Sequence, residues 1–157
     1  MTDDPRAGTD ERPGEDHLRL NGLLLAIEEE LAWPAGLTAA WWLVLGTVLR
    51  TPMPVADVAR EIGVTRQSVQ RIADLLVDRG LAEYRSNPAH RRAKLLAPTP
   101  DGRAAIQRIA PAHAAFARRL AAAHTTEGLE RALEAARQLL DTLTALAAEY
   151  GELRAAG

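Results

Sequence analysis

The sequence has no cysteine, which excludes disulfides, thiolate metal sites and thiol-based redox sensing. Serine occurs only at Ser68 and Ser86. Neither has a base and an orienting group in its local sequence, and no phosphate-cradling glycine loop is present, so the chain is expected not to be an enzyme. Histidine is scarce too: His17, His90, His113 and His124 offer no metal-ligand spacing, since on one helix the last two would stand about 16 Å apart. No metal or other cofactor is expected. The most apolar stretch, Leu37 to Leu49, falls short of the roughly 20 residues that span a bilayer. The opening MTDDPRAGTDERPGED carries acids where a signal peptide needs a basic start and an apolar run. These features predict a cytoplasmic protein with no membrane partner.

What is present is sufficient for a packed core. Hydrophobic residues make up 47% and charged residues 25% of 157 positions, which excludes wholesale disorder and fits one compact domain with a helical extension. The net charge of -2 conceals a division along the chain. From Arg50 to Arg108 eleven basic residues stand against six acidic ones, whereas the remainder carries eight against fifteen. The middle is electropositive and can attract a polyanion although the whole molecule is mildly acidic.

Residues 1–16 lack apolar periodicity and read as a disordered tail. From His17, the Leu20, Leu23, Leu24, Ile27, Leu31 stripe predicts an amphipathic helix stopped by Pro34 and Gly36. Thr38 caps a second helix, Ala39 to Leu49, apolar on nearly all sides and therefore central. After the extended Thr51–Pro54, a short helix built on Val55, Val58, Ala59 and Ile62 ends at Gly63. Thr65 then caps a helix from Arg66 to Arg79 with Val69, Ile72, Ala73 and Leu76 buried. Leu81–Arg85 and Ala93–Ala97 read as strands of a long hairpin with a basic tip. A helix opened by Thr99 and Pro100 runs to about Ala123 with an expected kink at Pro111. The last helix, from an N-cap at Thr126 to about Tyr150, aligns Leu129, Ala132, Leu133, Ala136, Leu140, Leu143 and Ala147 in one seam.

The two short helices joined by a tight turn form a helix-turn-helix candidate. Off its buried stripe, the second begins with Arg66, Gln67, Ser68, Gln70 and Arg71, all hydrogen-bonding and none acidic. An ordinary solvated face favours acids in its first turn, where they complement the helix dipole. Arg can bond guanine N7 and O6, Gln can bond adenine N6 and N7, and Ser or Thr can bond base or phosphate. Thr65, Arg66, Gln67, Ser68, Gln70 and Arg71 are therefore the candidate DNA-reading set. Arg91, Arg92 and Lys94 at the hairpin add contacts to phosphates or a narrow minor groove.

In Leu37–Gly46, Val64–Arg71, Leu75–Leu81, Asn87–Lys94 and Leu96–Gly102, the chain resembles the MarR family of bacterial transcription regulators, from about His17 to Tyr150. The resemblance implies a mainly α fold: a winged helix-turn-helix with a short β-hairpin wing and an all-α dimerisation region. It implies homodimers joined through the terminal helices that bind double-stranded DNA, recognition helices in major grooves and Arg92 in a minor groove. The sequence departs at His90, where the family commonly has an aspartate that orients this arginine. The corresponding division is a tail at 1–16, a dimerisation helix at 17–36, a DNA-binding lobe at 37–99 and dimerisation helices at 100–150.

Family members often bind small aromatic ligands between the dimer helices and the DNA-binding lobe. Trp33, Trp41, His113 and Phe116 are the candidate ligand residues, with Trp41 facing the pocket and its neighbour Trp42 in the core. The leading expectation is a sequence-specific dimeric repressor of a pseudo-palindromic operator, relieved by a small-molecule effector. The alternatives are a ligand-independent architectural DNA binder and a helical protein-interaction module that retains the fold.

Overall fold

The computed structural model describes residues 13–90 and 92–155. In chain order these form α1 (Pro13–Ala32), a single 3-10 turn (Trp33–Ala35), α2 (Ala39–Thr47), β1 (Met53–Pro54), α3 (Val55–Ile62), α4 (Arg66–Asp78), β2 (Ala82–Arg85), β3 (Leu95–Pro98), α5 (Pro100–Ala122) and α6 (Thr126–Ala155). Helices therefore dominate, with one small sheet.

Local chemistry explains most of these boundaries. Thr38, Thr65 and Thr99 each turn a side-chain oxygen to an N–H of the helix that follows, on Trp41, Ser68 and Gly102 respectively. Gly63 ends α3 in the left-handed region at φ 70°, and its N–H returns to the Ala59 carbonyl. A side chain there would be strained, so glycine permits the sharp turn into α4. Pro111 lies inside a continuous α5, whose ladder lacks the one N–H that proline cannot donate.

Four expectations need correction. Helix α1 starts at Pro13 rather than His17, so Pro13–Asp16 belong to it and not to a tail; proline suits a first helical turn, where its missing N–H is no loss. Residues 1–12 of the expected tail lie outside the described chain. Helix α6 is capped by Thr125 rather than Thr126, the Thr125 hydroxyl accepting from Gly128 N at 3.1 Å, and it runs past Tyr150 to Ala155. The hairpin strands are shorter than expected, and β3 begins at Leu95. Finally, the wing sheet has three strands in the order β1-β3-β2, all antiparallel, with Met53 opposite Leu96 and Tyr84 also opposite Leu96. The extended Thr51–Pro54 segment thus covers the edge of β3 just before α3 begins.

The core is dry. Val44, Leu45 and Val48 of the α2 region, Val58, Val69, Leu76, Leu96 and Ile109 are fully buried, and no polar or charged side chain among the described residues is. Helix α2 touches α1, α3, α4 and α5, as its all-round apolarity requires. The core therefore packs α3 and α4 against α2 and against each other, with α4 also against β2. Helices α1 and α6 contribute little to it and leave many leucines exposed.

Candidate nucleic-acid interface

Helix α4 turns one stripe inward (Val69, Ala73, Leu76) and the other outward. Arg66, Gln67, Ser68 and Arg71 are exposed, and Gln70 is half-buried. The first turn has no acid. Thr65 and Ser68 engage each other: the Ser68 N–H donates to Thr65 Oγ1 at 3.2 Å and their hydroxyls stand 2.8 Å apart. Their first role is to hold the start of the helix.

The wing comes back to this face. Arg66 and Gln70 of α4, Tyr84 of β2, and Arg92 and Lys94 before β3 line one open groove of about 390 Å³ together with Pro54, Val55, Ala56 and Ala93. Residues that lie up to 28 positions apart in sequence thus share one electropositive wall. Arg91 lies outside the described residues. In the wing loop, Asn87 Oδ1 accepts from Ala89 N at 3.0 Å and the His90 carbonyl accepts from Ala93 N at 3.0 Å. His90 itself is exposed.

Two residues that sequence reasoning missed bind the helix to the wing. Gln70 Nε2 donates to Asp74 Oδ1 at 2.9 Å and to the Tyr84 hydroxyl at 2.7 Å, and that hydroxyl donates to Asp74 Oδ1 at 2.7 Å. Burial, then the hydrogen bond to Asp74 and its negative charge, push the Tyr84 phenol up to about 12, against a smaller opposing effect of Gln70. It stays protonated throughout the neutral range. The Gln70–Asp74 spacing of four on one helix was a legible signal; the tyrosine became a neighbour only through the sheet register.

A second cavity, of about 410 Å³, opens between the helices and is lined by Glu28, Ala39, Trp42, Leu43, Gly46, Thr47 and His113. Trp42 meets His113 edge to face, with ring centroids 5.3 Å apart at 81°. Of the expected ligand residues His113 lines this cavity and Trp41 does not; Trp42, expected in the core, lines it instead, and both tryptophans are half-buried against the core. Trp41 points instead toward the end of α4, where the Arg79 guanidinium lies over its ring at 5.0 Å. Adjacent helical positions diverge by about 100°, so the sequence showed that the rings part but not which one meets α4. Trp33, in the 3-10 turn, is 73% exposed, and Phe116 is half-buried on α5; neither lines the cavity.

The comparisons with known proteins agree with this geometry. Residues 35–93 match the family model described as MarR family. The chain is 39% identical over 130 residues to the uncharacterized proteins Rv2011c of Mycobacterium tuberculosis and Mb2034c of Mycobacterium bovis, covering 83% of this chain and 91% of each relative. Among solved structures, the fold is similar to a mutant MarR from E. coli complexed with operator DNA (TM-score 0.74, 21% identity, 81% of this chain and 92% of that one). It is also similar to Bordetella bronchiseptica BpsR, described with regulation of its DNA binding by 6-hydroxynicotinic acid (0.73, 24%, 85% and 96%). A third likeness is to Streptomyces coelicolor PcaV in complex with its natural ligand (0.71, 20%, 86% and 97%). With the helix-turn-helix, the wing and the long flanking helices all in place, the chain belongs to the MarR family of winged-helix transcription regulators.

Proposed function

We propose that the protein is a sequence-specific, homodimeric DNA-binding repressor, acting in the cytoplasm and relieved by a small ligand. The observation that carries the DNA reading is the convergence of Arg66, Gln70, Arg92 and Lys94 on one groove. Helix and wing cations on one wall suit a duplex, with α4 in the major groove and the wing over the adjacent backbone. The operator complex of the E. coli relative supports the same reading. Exposed leucines along α1 and α6 support a two-fold dimer. A two-fold dimer reads a pseudo-palindrome with half-sites roughly 10 base pairs apart.

The test is duplex binding at several salt concentrations. Arg71→Ala is expected to cost about 1 to 3 kcal/mol and relax sequence preference. Arg92→Ala should weaken all sequences alike and lower the salt slope by about one. Unchanged operator affinity in both variants would remove the docking scheme, and binding without salt dependence would favour a protein-interaction module instead.

The Trp42–His113 cavity is the proposed effector site. It joins an aromatic wall, an imidazole and the Glu28 carboxylate, a mix of apolar surface and few polar groups that suits a planar ligand. The carboxylate disfavours anions there, so phenols and aromatic amines fit better than aromatic acids. Titration of these classes, followed by tryptophan fluorescence and operator affinity together, should show about 5- to 150-fold weaker DNA binding for a true effector. Trp42→Leu should abolish that response. Quenching with no change in DNA affinity would leave the architectural, ligand-independent alternative.

A further inference from the structure

The cavity between α1, α2 and α5 carries its fixed charge on one residue. Glu28 is half-buried on its wall, and no lysine or arginine among the described residues lines it. The ion pairs among the described residues all lie elsewhere. The helix terminus that reaches the cavity does not offset this charge. Ala39 is the first residue of α2 and lines the cavity, and open N–H groups at a helix N-terminus attract anions. Here the Ala39 N–H donates to Glu29 Oε2 at 2.7 Å and the Trp41 N–H to Thr38 Oγ1 at 3.2 Å. A carboxylate from α1 thus already takes the place an anionic ligand would have at that end of α2.

The other polar groups accept at least as readily as they donate. The one hydroxyl hydrogen of Thr47 goes to the Leu43 carbonyl at 2.8 Å, which leaves the Thr47 oxygen as an acceptor. The Glu28 carboxylate only accepts, and a neutral imidazole at His113 offers one donor and one acceptor. Beside them Trp42, Leu43 and Gly46 supply an apolar wall. Resting on the effector-site reading above, we infer that this cavity selects a lipophilic ammonium ion, an amine whose flat apolar body lies on Trp42 and Leu43 and whose N–H groups donate to Glu28. Such a ligand brings both the countercharge and the donors that the wall lacks. A phenol brings one donor and no charge, and an aromatic acid brings a charge of the wrong sign. At about 410 Å³ the cavity is of the size of small-molecule sites and admits a two-ring body.

The experiment uses three ligands of nearly one shape and different charge: 1-naphthylmethylamine, 1-naphthalenemethanol and 1-naphthoate, titrated calorimetrically at pH 7. The amine should bind roughly three- to tenfold tighter than the alcohol, between the worth of an exposed ion pair and that of a hydrogen bond to a charged group. Naphthoate should bind most weakly. Glu28→Gln, checked for folding by circular dichroism, should bring the amine down to the alcohol and leave the alcohol nearly unchanged. Leu43→Lys alters a side chain that is 48% exposed and sets a cation on the same wall; it should cancel the advantage of the amine and strengthen naphthoate. Trp42→Leu should weaken all three, since it removes apolar wall. Alcohol or naphthoate binding as tightly as the amine, and weakened by Trp42→Leu, would overturn the inference while keeping the effector site. An amine advantage that persists in folded Glu28→Gln or Leu43→Lys would overturn it as well. An amine preference that comes with no change in operator affinity would support the selectivity and overturn the effector role. If none of the three binds, or Trp42→Leu leaves their binding unaltered, the effector-site reading fails and this inference with it.

Discussion

A Gly102→Ala variant is expected to lose about 3 kcal/mol of stability and to melt about 6 to 12 °C below the parent at equal protein concentration. The reason is a close approach of backbones. A Cβ at this position would lie 2.0 Å from the Leu81 carbonyl oxygen and 3.0 Å from its carbon, with Leu45 Cδ1 at 3.4 Å. A flexible side chain could move aside; a carbonyl cannot do so freely, because Leu81 O already accepts from Thr99 N at 3.1 Å. Thr99 strengthens the same junction, its hydroxyl donating to Gly80 O at 2.6 Å and accepting from Gly102 N at 3.1 Å. The first turn of α5 thus lies directly on the segment where α4 ends and the wing begins. Pushing them apart would disturb the core and the angle between recognition helix and wing together. Gly46→Ala is the control, since a Cβ there meets nothing within 4 Å and helix propensity favours alanine. It should be neutral or slightly stabilising. A Gly102→Ala loss below about 1 kcal/mol would mean that α5 can back away without disturbing the core, contrary to this packing.

The parts of this molecule that were legible in its sequence are those fixed by short-range chemistry. Thr65, Gly63 and the Val69, Ala73, Leu76 spacing define α4 within a few residues, because a cap, a left-handed turn and a buried stripe are each local. The apolar run after Thr38 implied a central α2 for the same reason. What was not legible depends on neighbours brought together by folding. The two-residue strand β1 exists because Met53 and Pro54 find the edge of β3, and no propensity in so short a segment announces it. Which of Trp41 and Trp42 lines the cavity depends on where Arg79 and His113 come to lie. In the same way, Gln70 was legible as a candidate reader, but its contact with Tyr84 depends on the sheet that brings β2 beside α4. The need for glycine at position 102 likewise comes from the Leu81 carbonyl that folding sets beside it.

The seam on the last helix leads to the second large effect: Leu140→Glu with Leu143→Glu should convert the protein to a monomer and weaken operator binding by about a hundredfold or more. In a single chain Leu133, Leu139, Leu140, Leu143 and Leu146 of α6 are all exposed, as are Leu18, Leu20, Leu23, Leu24 and Leu25 of α1. Runs of this extent are covered in a stable soluble protein, and a two-fold contact between like helices covers the same residues on both chains. Leu140 and Leu143 are 63% and 52% exposed in the single chain, so burying what remains of them from two chains is worth about 3 to 7 kcal/mol at about 1.5 to 3 for a wholly exposed leucine. A micromolar dimer has only about 8 kcal/mol to lose. Four carboxylates in place of these leucines would add the cost of burying charge to that loss. The fold of each chain should survive, because neither leucine is part of the buried core, and helical circular dichroism should be nearly unchanged. On the dimeric reading proposed above, DNA affinity falls because two linked lobes hold two half-sites at a high effective concentration, an advantage that a monomer lacks. Light scattering and operator titration on the same preparation decide the matter. A dimer persisting at micromolar concentration would place the interface on other residues, and a monomer with wild-type operator affinity would show that the two lobes do not read the site together.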